Sequence, residues 1–161
     1  MNSNVDNNRK PNQCHAPFFS VQARGVWGAP FRESGWEVID VDWDGRYGAE
    51  IQVDITSWDY KAAFDPGHFD VVWASPDCAQ YSRAKTIGPP RDLEKADRLV
   101  QVCRSIIEYF CPVIWFLENP DSGLLKTRPC VEGLLYVRVD YCMYSKCPYR
   151  KRTRLWTNCA G

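Results

Sequence analysis

FDVVWASPDCAQYS, residues 69–82, is the stretch on which the fold turns. Residues 69–75 are apolar enough to be buried on both faces, as the central strands of a parallel sheet are. Ser75 and Pro76 end the run, and Cys78 follows, three positions before Tyr81. A strand buried on both faces needs helices to cover it, and the flanking sequence supplies them. WEVIDVD (36–42) and AEIQVDI (49–55) read as short strands, the first preceded by Gly35 at a helix C′ position. RDLEKADRLVQVCRSIIEYF (91–110) is the clearest helix: Leu93, Ala96, Leu99, Val100, Cys103, Ile107 and Phe110 share one stripe, and Pro112 stops it. VIWFLENP (113–120) is a second buried strand, followed by a short helix around DSGLLKTR. LLYVRVDYCMY (134–144) and RTRLWTN (152–158) close the chain as strands. Strands alternating with helical connections predict an α/β domain with a mostly parallel sheet. With no internal repeat or linker, residues 16–161 read as one domain behind an Asn-rich, aperiodic tail, 1–15, expected to be disordered.

At 161 residues the chain is long enough to bury a real core, and seven Trp and eight Tyr make it rich in aromatics. Twenty basic and twenty acidic residues cancel, so bulk charge argues for neither nucleic acid nor membrane. The polar start, MNSNVDNNRKPNQCH, has no apolar signal region, and no apolar run approaches the roughly 18 residues that span a bilayer. The eight cysteines (14, 78, 103, 111, 130, 142, 147, 159) form no CxxC pair, which argues against zinc. We read them as reduced thiols of an intracellular protein with no metal site.

In open α/β sheets ligands sit at the carboxyl ends of the strands. The polar residues there are Asp42 with Asp44, Asp54, Cys78, and Glu118–Asn119. Taken singly they are ordinary turn formers and caps, and Cys78 could be a buried strand-end thiol. Asp42 ends the second strand, where a nucleotide ribose hydroxyl is commonly held. Lys146, Arg150, Lys151, Arg152 and Arg154 form a basic cluster suited to phosphates, although most such runs are only solvated. Alternation puts Arg152 and Arg154 on the same side of their strand. His68 reads as a turn residue.

Four of these segments carry a family likeness. SPDCAQYS resembles the Pro-Cys motif of DNA cytosine-5 methyltransferases, and FLENP (116–120) their Glu-Asn motif. YRKRTRLW (149–156) is similar to their late Gln-x-Arg-x-Arg motif, and VDITSWD (53–59) to their adenine-contacting Asp-Ile segment. Order and spacing agree over residues 18–158. The resemblance implies a Rossmann-like, S-adenosylmethionine-dependent methyltransferase fold, mostly parallel with an antiparallel edge strand. It implies Cys78 as the nucleophile that adds to cytosine C6. Glu118, with Asn119, would hold the N3 and N4 edge, and Arg154 and Arg152 would polarise O2 or hold the cysteine loop. The cofactor would lie on Phe19, Gly25, Gly28, Asp42, Trp43, Asp54, Ile55 and Pro76. The target base would leave the duplex, and the loop 82–91 would close over it, with Arg83, Lys85 and Arg91 near phosphates.

Three positions depart from the family. In FFSVQARGVWGAPF (18–31) the expected Phe-x-Gly-x-Gly turn keeps Gly25 but has Ala23 where the other glycine belongs. An added Cβ there crowds the close approach to the cofactor that glycine permits. Asp77 stands before the cysteine in place of proline, and a neighbouring carboxylate opposes thiolate formation. The sequence given ends at Gly161, soon after the arginine motif and before any match to the family's target-recognition domain, so three expectations are open: a fragment of a longer protein, reliance on a separate recognition subunit, or weak, sequence-indifferent binding to DNA. Three readings are open: a cytosine-5 methyltransferase of DNA, the same chemistry on RNA or a free nucleotide, or a catalytically inactive relative.

Overall fold

The computed structural model describes residues 17–22, 28–143 and 151–159. Its centre is a parallel block: β1 (Pro17–Gln22) pairs in parallel with both β2 (Glu37–Asp42) and β4 (Val71–Ser75). β3 (Ile51–Gln52) extends the sheet beyond β2, and β5 (Ile114–Pro120) extends it beyond β4, both in parallel. β7 (Arg152–Thr157) then runs antiparallel between β5 and the edge strand β6 (Tyr136–Asp140). The order is β3-β2-β1-β4-β5-β7-β6, which puts the topological switch between β1 and β4.

Among the described residues three helices accompany the sheet: α1 (Ala29–Glu33), α2 (Tyr60–Ala63) and α3 (Leu93–Phe110). Asp92 caps α3 by accepting from Lys95 N at 2.9 Å, and Ala96, Val100, Cys103, Ile106, Ile107 and Phe110 are its buried stripe. At its far end Cys111 adopts the left-handed conformation (φ 47°) and donates to Ile107 O. Glycine normally fills that position. At α1 the expected glycine is present: Gly35 (φ 84°) donates to Arg32 O just beyond the helix.

Register and alternation sort the side chains into two faces. Phe19, Val21, Val41, Val72, Ala74, Leu117 and Trp156 point toward α3 and form the main core with Phe69, Ile106, Phe110 and Leu125. The opposite face carries Phe18, Ser20, Asp40, Asp42, Trp73, Ser75, Phe116, Glu118 and Thr153. α1 covers part of it, with Phe31 stacked on Phe18 at 4.0 Å.

Three expected elements are shorter than their apolar runs. Of 49–55 only Ile51–Gln52 is strand, because Asp54 accepts from Thr56 N (2.9 Å) and Oγ1 (2.7 Å) and turns the chain. The helix expected around 121–128 is two 3-10 turns, Leu125–Thr127 and Pro129–Val131, with Pro129 at the start of the second. The strand expected over 134–144 gives way after Asp140 to a 3-10 turn, Tyr141–Met143. The tail 1–15, Gly25, Lys146 and Arg150 lie outside the described residues.

Candidate active site

Asp42, Ser75 and Glu118 come to the carboxyl edge of the sheet on one face, and the Pro76–Tyr81 loop continues from Ser75. That loop is built by local hydrogen bonds. The Asp77 carboxylate accepts from Ala79 N at 3.1 Å, and Tyr81 N donates to Cys78 O at 3.0 Å. Cys78 is therefore presented at the corner of a tight turn, with its side chain exposed. The carboxylate that the sequence sets against the thiol is turned onto the backbone two residues on.

Two bonds fasten this turn to β5 and to the segment that follows it. Asn119 is fully buried, and its Nδ2 donates to Pro76 O at 3.1 Å. Leu124 N donates to Tyr81 O at 2.9 Å. The end of β5 and the cysteine loop are thus one unit. Tyr81 anchors that unit from below: its ring is in the core, and its hydroxyl donates to Asp97 on α3 at 2.8 Å. Arg128 closes the same carboxylate through Nε at 2.9 Å and Nη2 at 2.7 Å.

Glu118 is buried, and desolvation raises its pKa above the usual carboxylate range. Lys151 and the hydroxyls of Thr153 and Ser75 act in the opposite direction without overcoming burial. Trp73 Nε1 in turn donates to Ser75 Oγ at 2.8 Å.

The two arginines fall on the face opposite Glu118. β7 pairs Asn119 with Arg154 and Glu118 with Leu155, and paired residues share a face. Arg154 is nearly buried: Nε donates to Asp121 Oδ1 at 2.8 Å, and the guanidinium sits 3.8 Å from the centre of the Tyr136 ring. Of the two roles expected for it, on the base O2 or on the cysteine loop, these contacts place its guanidinium beside the Glu-Asn turn. Arg152 is exposed, donates to Asp140 at 3.1 Å, and lines a cleft of about 280 Å³ with Pro120, Ser122 and Lys151.

The residues expected to hold the cofactor divide into two groups. Asp42 is buried at the end of β2; Asp44 N occupies its Oδ1 at 2.8 Å, while Oδ2 is buried without a hydrogen-bond partner. Burial raises the Asp42 pKa, offset in part by the bond from Asp44 N. A hydroxyl donor arriving there would satisfy an acceptor that the fold leaves open. Trp43, next to it, is 62% exposed, an indole facing solvent at a strand end. Pro76 is buried and holds its carbonyl toward Asn119.

The others are used by the fold. Phe19 has no exposed surface and packs against Phe69 (4.7 Å) and Phe110 (5.3 Å), so its ring faces the core. Ile55 is likewise core. The Asp54 carboxylate is exposed and taken up by Thr56, whose hydrogen bonds lower its pKa. A Cβ on Gly28 would lie 2.5 Å from Asp40 Oδ2 and 2.6 Å from Val38 Cγ1, so glycine there lets α1 pack on β2.

In the loop 82–91, Arg91 Nη2 donates to Ser82 O (2.9 Å) and Lys85 O (3.0 Å), and Lys85 Nζ donates to Gln80 (2.9 Å). Both charges fasten the loop, and Arg83 stays exposed. His68 lies beside a turn and packs its ring on Phe64 and Phe69. Among the described residues no helix is long and apolar enough to cross a membrane, and no group of three His, Cys, Asp or Glu could hold a metal ion. Sequence reasoning passed over Trp73, Ser75 and Thr153, and Ser75 could have been found from its place opposite Glu118 in two adjacent strands.

Three comparisons bear on this arrangement. No family model matches the chain. A protein of Frog virus 3 (isolate Goorha) named "Probable DNA (cytosine-5)-methyltransferase" is 39% identical over 141 residues, 81% of this chain and 64% of the viral protein. The chain therefore spans a little under two thirds of that relative. A crystal structure assigned as a DNA modification methyltransferase, encoded within an E. coli prophage, overlays with a TM-score of 0.56 at 15% identity. That match covers 88% of this chain and 46% of the other. The fold is shared, with its mostly parallel sheet and antiparallel edge.

Proposed function

We propose that this chain, a homologue of a viral protein named as a cytosine-5 methyltransferase, itself methylates cytosine C5 in DNA through a covalent Cys78 adduct. The observation that carries the reading is the Asn119–Pro76 bond, which locks the Glu118-bearing end of β5 to the turn that exposes Cys78. A nucleophile and a proton-retaining carboxyl group at one corner is what the chemistry needs.

Cytosine C5 is a poor nucleophile. Attack of the Cys78 thiolate on C6 forms an S–C6 bond and moves the C5–C6 π pair onto C5. Protonation at N3 accommodates the charge, and Glu118, whose burial favours the protonated form, can donate that proton from the base edge. The cofactor, S-adenosylmethionine, supplies the electrophilic methyl group that C5 accepts. Asp42 Oδ2 suits a ribose hydroxyl and Trp43 a ring face for it. A solvent base then takes the C5 proton, the C–H pair re-forms the C5–C6 π bond as the S–C6 bond breaks, and the N3 proton returns to Glu118, releasing Cys78 as thiolate. Arg154 acts at one remove, holding Asp121 beside the Glu-Asn turn, and Arg152 and Lys151 face the cleft where phosphate would lie.

The test is mechanism-based trapping. Duplex DNA carrying 5-fluorocytosine, with S-adenosylmethionine present, should give a stable adduct, because fluorine at C5 cannot leave as a proton does. Cys78→Ser should lose the adduct, and Cys103→Ser, buried on α3, should keep it. A wild-type chain that binds S-adenosylhomocysteine yet gives no shifted species at high protein concentration would falsify the assignment.

A further inference from the structure

We propose that Trp73 and Ser75 form an oriented hydrogen-bond relay that positions the Glu118 carboxyl group and sets its proton affinity. As a role in catalysis it rests on the function proposed above. As a statement about Glu118 it stands by itself.

An indole N–H donates and never accepts. Trp73 Nε1 donates to Ser75 Oγ at 2.8 Å, so that oxygen is the acceptor and its single hydrogen must point elsewhere. β4 and β5 pair in parallel, Ala74 beside Leu117, so the next residues, Ser75 and Glu118, are neighbours on one face. Both are buried, so the Ser75 hydrogen that Trp73 does not engage is placed to turn toward the Glu118 carboxylate. The relay therefore has one direction, Trp73 to Ser75 to Glu118, and its last bond favours the charged carboxylate. The Trp73 ring is itself held at a tilt against Phe116, centroids 5.2 Å apart, which fixes the donor.

Other groups face Glu118. Lys151, preceding β7, favours its charged form, and Thr153 approaches from β7. Tyr141, in the turn after β6, is within electrostatic reach of it. The relay offsets part of the burial, leaving Glu118 able both to hold a proton and to release it to a base.

The experiment reads Glu118 directly. The ligand-free chain, labelled with 13C at the glutamate carboxyls, is titrated by NMR, and Glu118→Gln identifies the resonance. Ser75→Ala should raise the Glu118 midpoint by about one pH unit, the size expected for one hydrogen bond lost from a charged form. Ser75→Thr keeps the hydroxyl and should restore it. Trp73→Phe keeps a ring and should give a smaller shift of the same sign. The Lys151 contribution is screened at about 1 M salt, where the Debye length is about 3 Å, and the Ser75 effect should persist there. A folded Ser75→Ala chain whose Glu118 midpoint does not move overturns the relay, whatever the activity. Where methyl transfer is measurable, its pH profile should move with the NMR midpoint while S-adenosylhomocysteine affinity stays constant. An NMR shift without adduct formation in the wild type would sink the proposed function and leave the relay standing.

Discussion

The Tyr81–Asp97–Arg128 anchor allows a quantitative test of how the cysteine loop is held. Tyr81→Phe keeps a ring that is wholly buried and deletes one bond, from the hydroxyl to Asp97 Oδ1 at 2.8 Å. A hydrogen bond to a charged partner is worth about 1.5–3 kcal/mol. Asp97 keeps three Arg128 bonds, at 3.2, 2.9 and 2.7 Å, so the loss should fall near the lower end, about 1.5–2 kcal/mol. For a domain of this length that lowers Tm by roughly 3–8 °C. Urea unfolding of wild type, Tyr81→Phe, Asp97→Ala and the double variant should give a coupling energy of about 1–2 kcal/mol with unchanged m-values. The dependence on pH is set by Asp97. Burial alone would raise its pKa, but the bonds from Arg128 and Tyr81 outweigh that and leave it lowered. Its stabilisation is therefore fully present above the ordinary carboxylate pKa and is lost as pH falls through the lower, folded value. The gap between wild type and Asp97→Ala should hold at pH 5 and close only in stronger acid. A coupling under about 0.5 kcal/mol, within the scatter of independent sites, would refute the reasoning.

Arg154→Met should destabilise by about 3 kcal/mol, since it strands the nearly buried Asp121, whereas Arg152→Ala should cost under about 0.5 kcal/mol because its pair with Asp140 is solvated. Equal losses in urea melts would show that the two arginines are not divided between the interior and the cleft. Cys111→Gly should stabilise by about 1 kcal/mol, because a left-handed residue with a Cβ gives way to one without. A lower Tm would contradict that. Asp42→Ala should weaken S-adenosylhomocysteine binding by about 1–3 kcal/mol in calorimetry, the worth of a hydrogen bond to a buried charge. Unchanged affinity would remove the proposed ribose site.

The strands most legible in the sequence are 69–75 and 113–120, whose largely apolar runs suit interior places in the sheet: β4 lies between two parallel neighbours, and β5 between parallel β4 and antiparallel β7. The α3 stripe was legible because 3.6-residue periodicity and a capping Asp92 agree. Illegible was anything decided by register between distant segments. That Arg154 turns away from Glu118 depends on β7 pairing Asn119 with Arg154, and sequence alternation alone fixes only that Arg152 goes with it. The anchor at Asp97 joins residues 31 positions apart, Arg128 and Asp97, with no motif between them. Phe19 and Ile55, assigned to a ligand by resemblance, are claimed by the core: both side chains are buried, and Phe19 packs on Phe69 and Phe110.

The placement of β7 has a consequence for how the chain is assembled during translation. β6 touches the sheet through β7, so when Tyr136–Asp140 leaves the ribosome it has no neighbour to pair with. β5 waits with one open edge, and the Asp121 carboxylate waits for its guanidinium. Arg152–Thr157 then slides between the two strands and satisfies both ladders, the ion pair and the cation–π stack in a single step. Everything from β1 to α3 can collapse before the chain is complete, and the β5-β7-β6 half of the sheet sets only when that last strand arrives. A stalled nascent chain stopping short of residue 152 should therefore protect β1, β2 and β4 from proteolysis and leave β6 open to it.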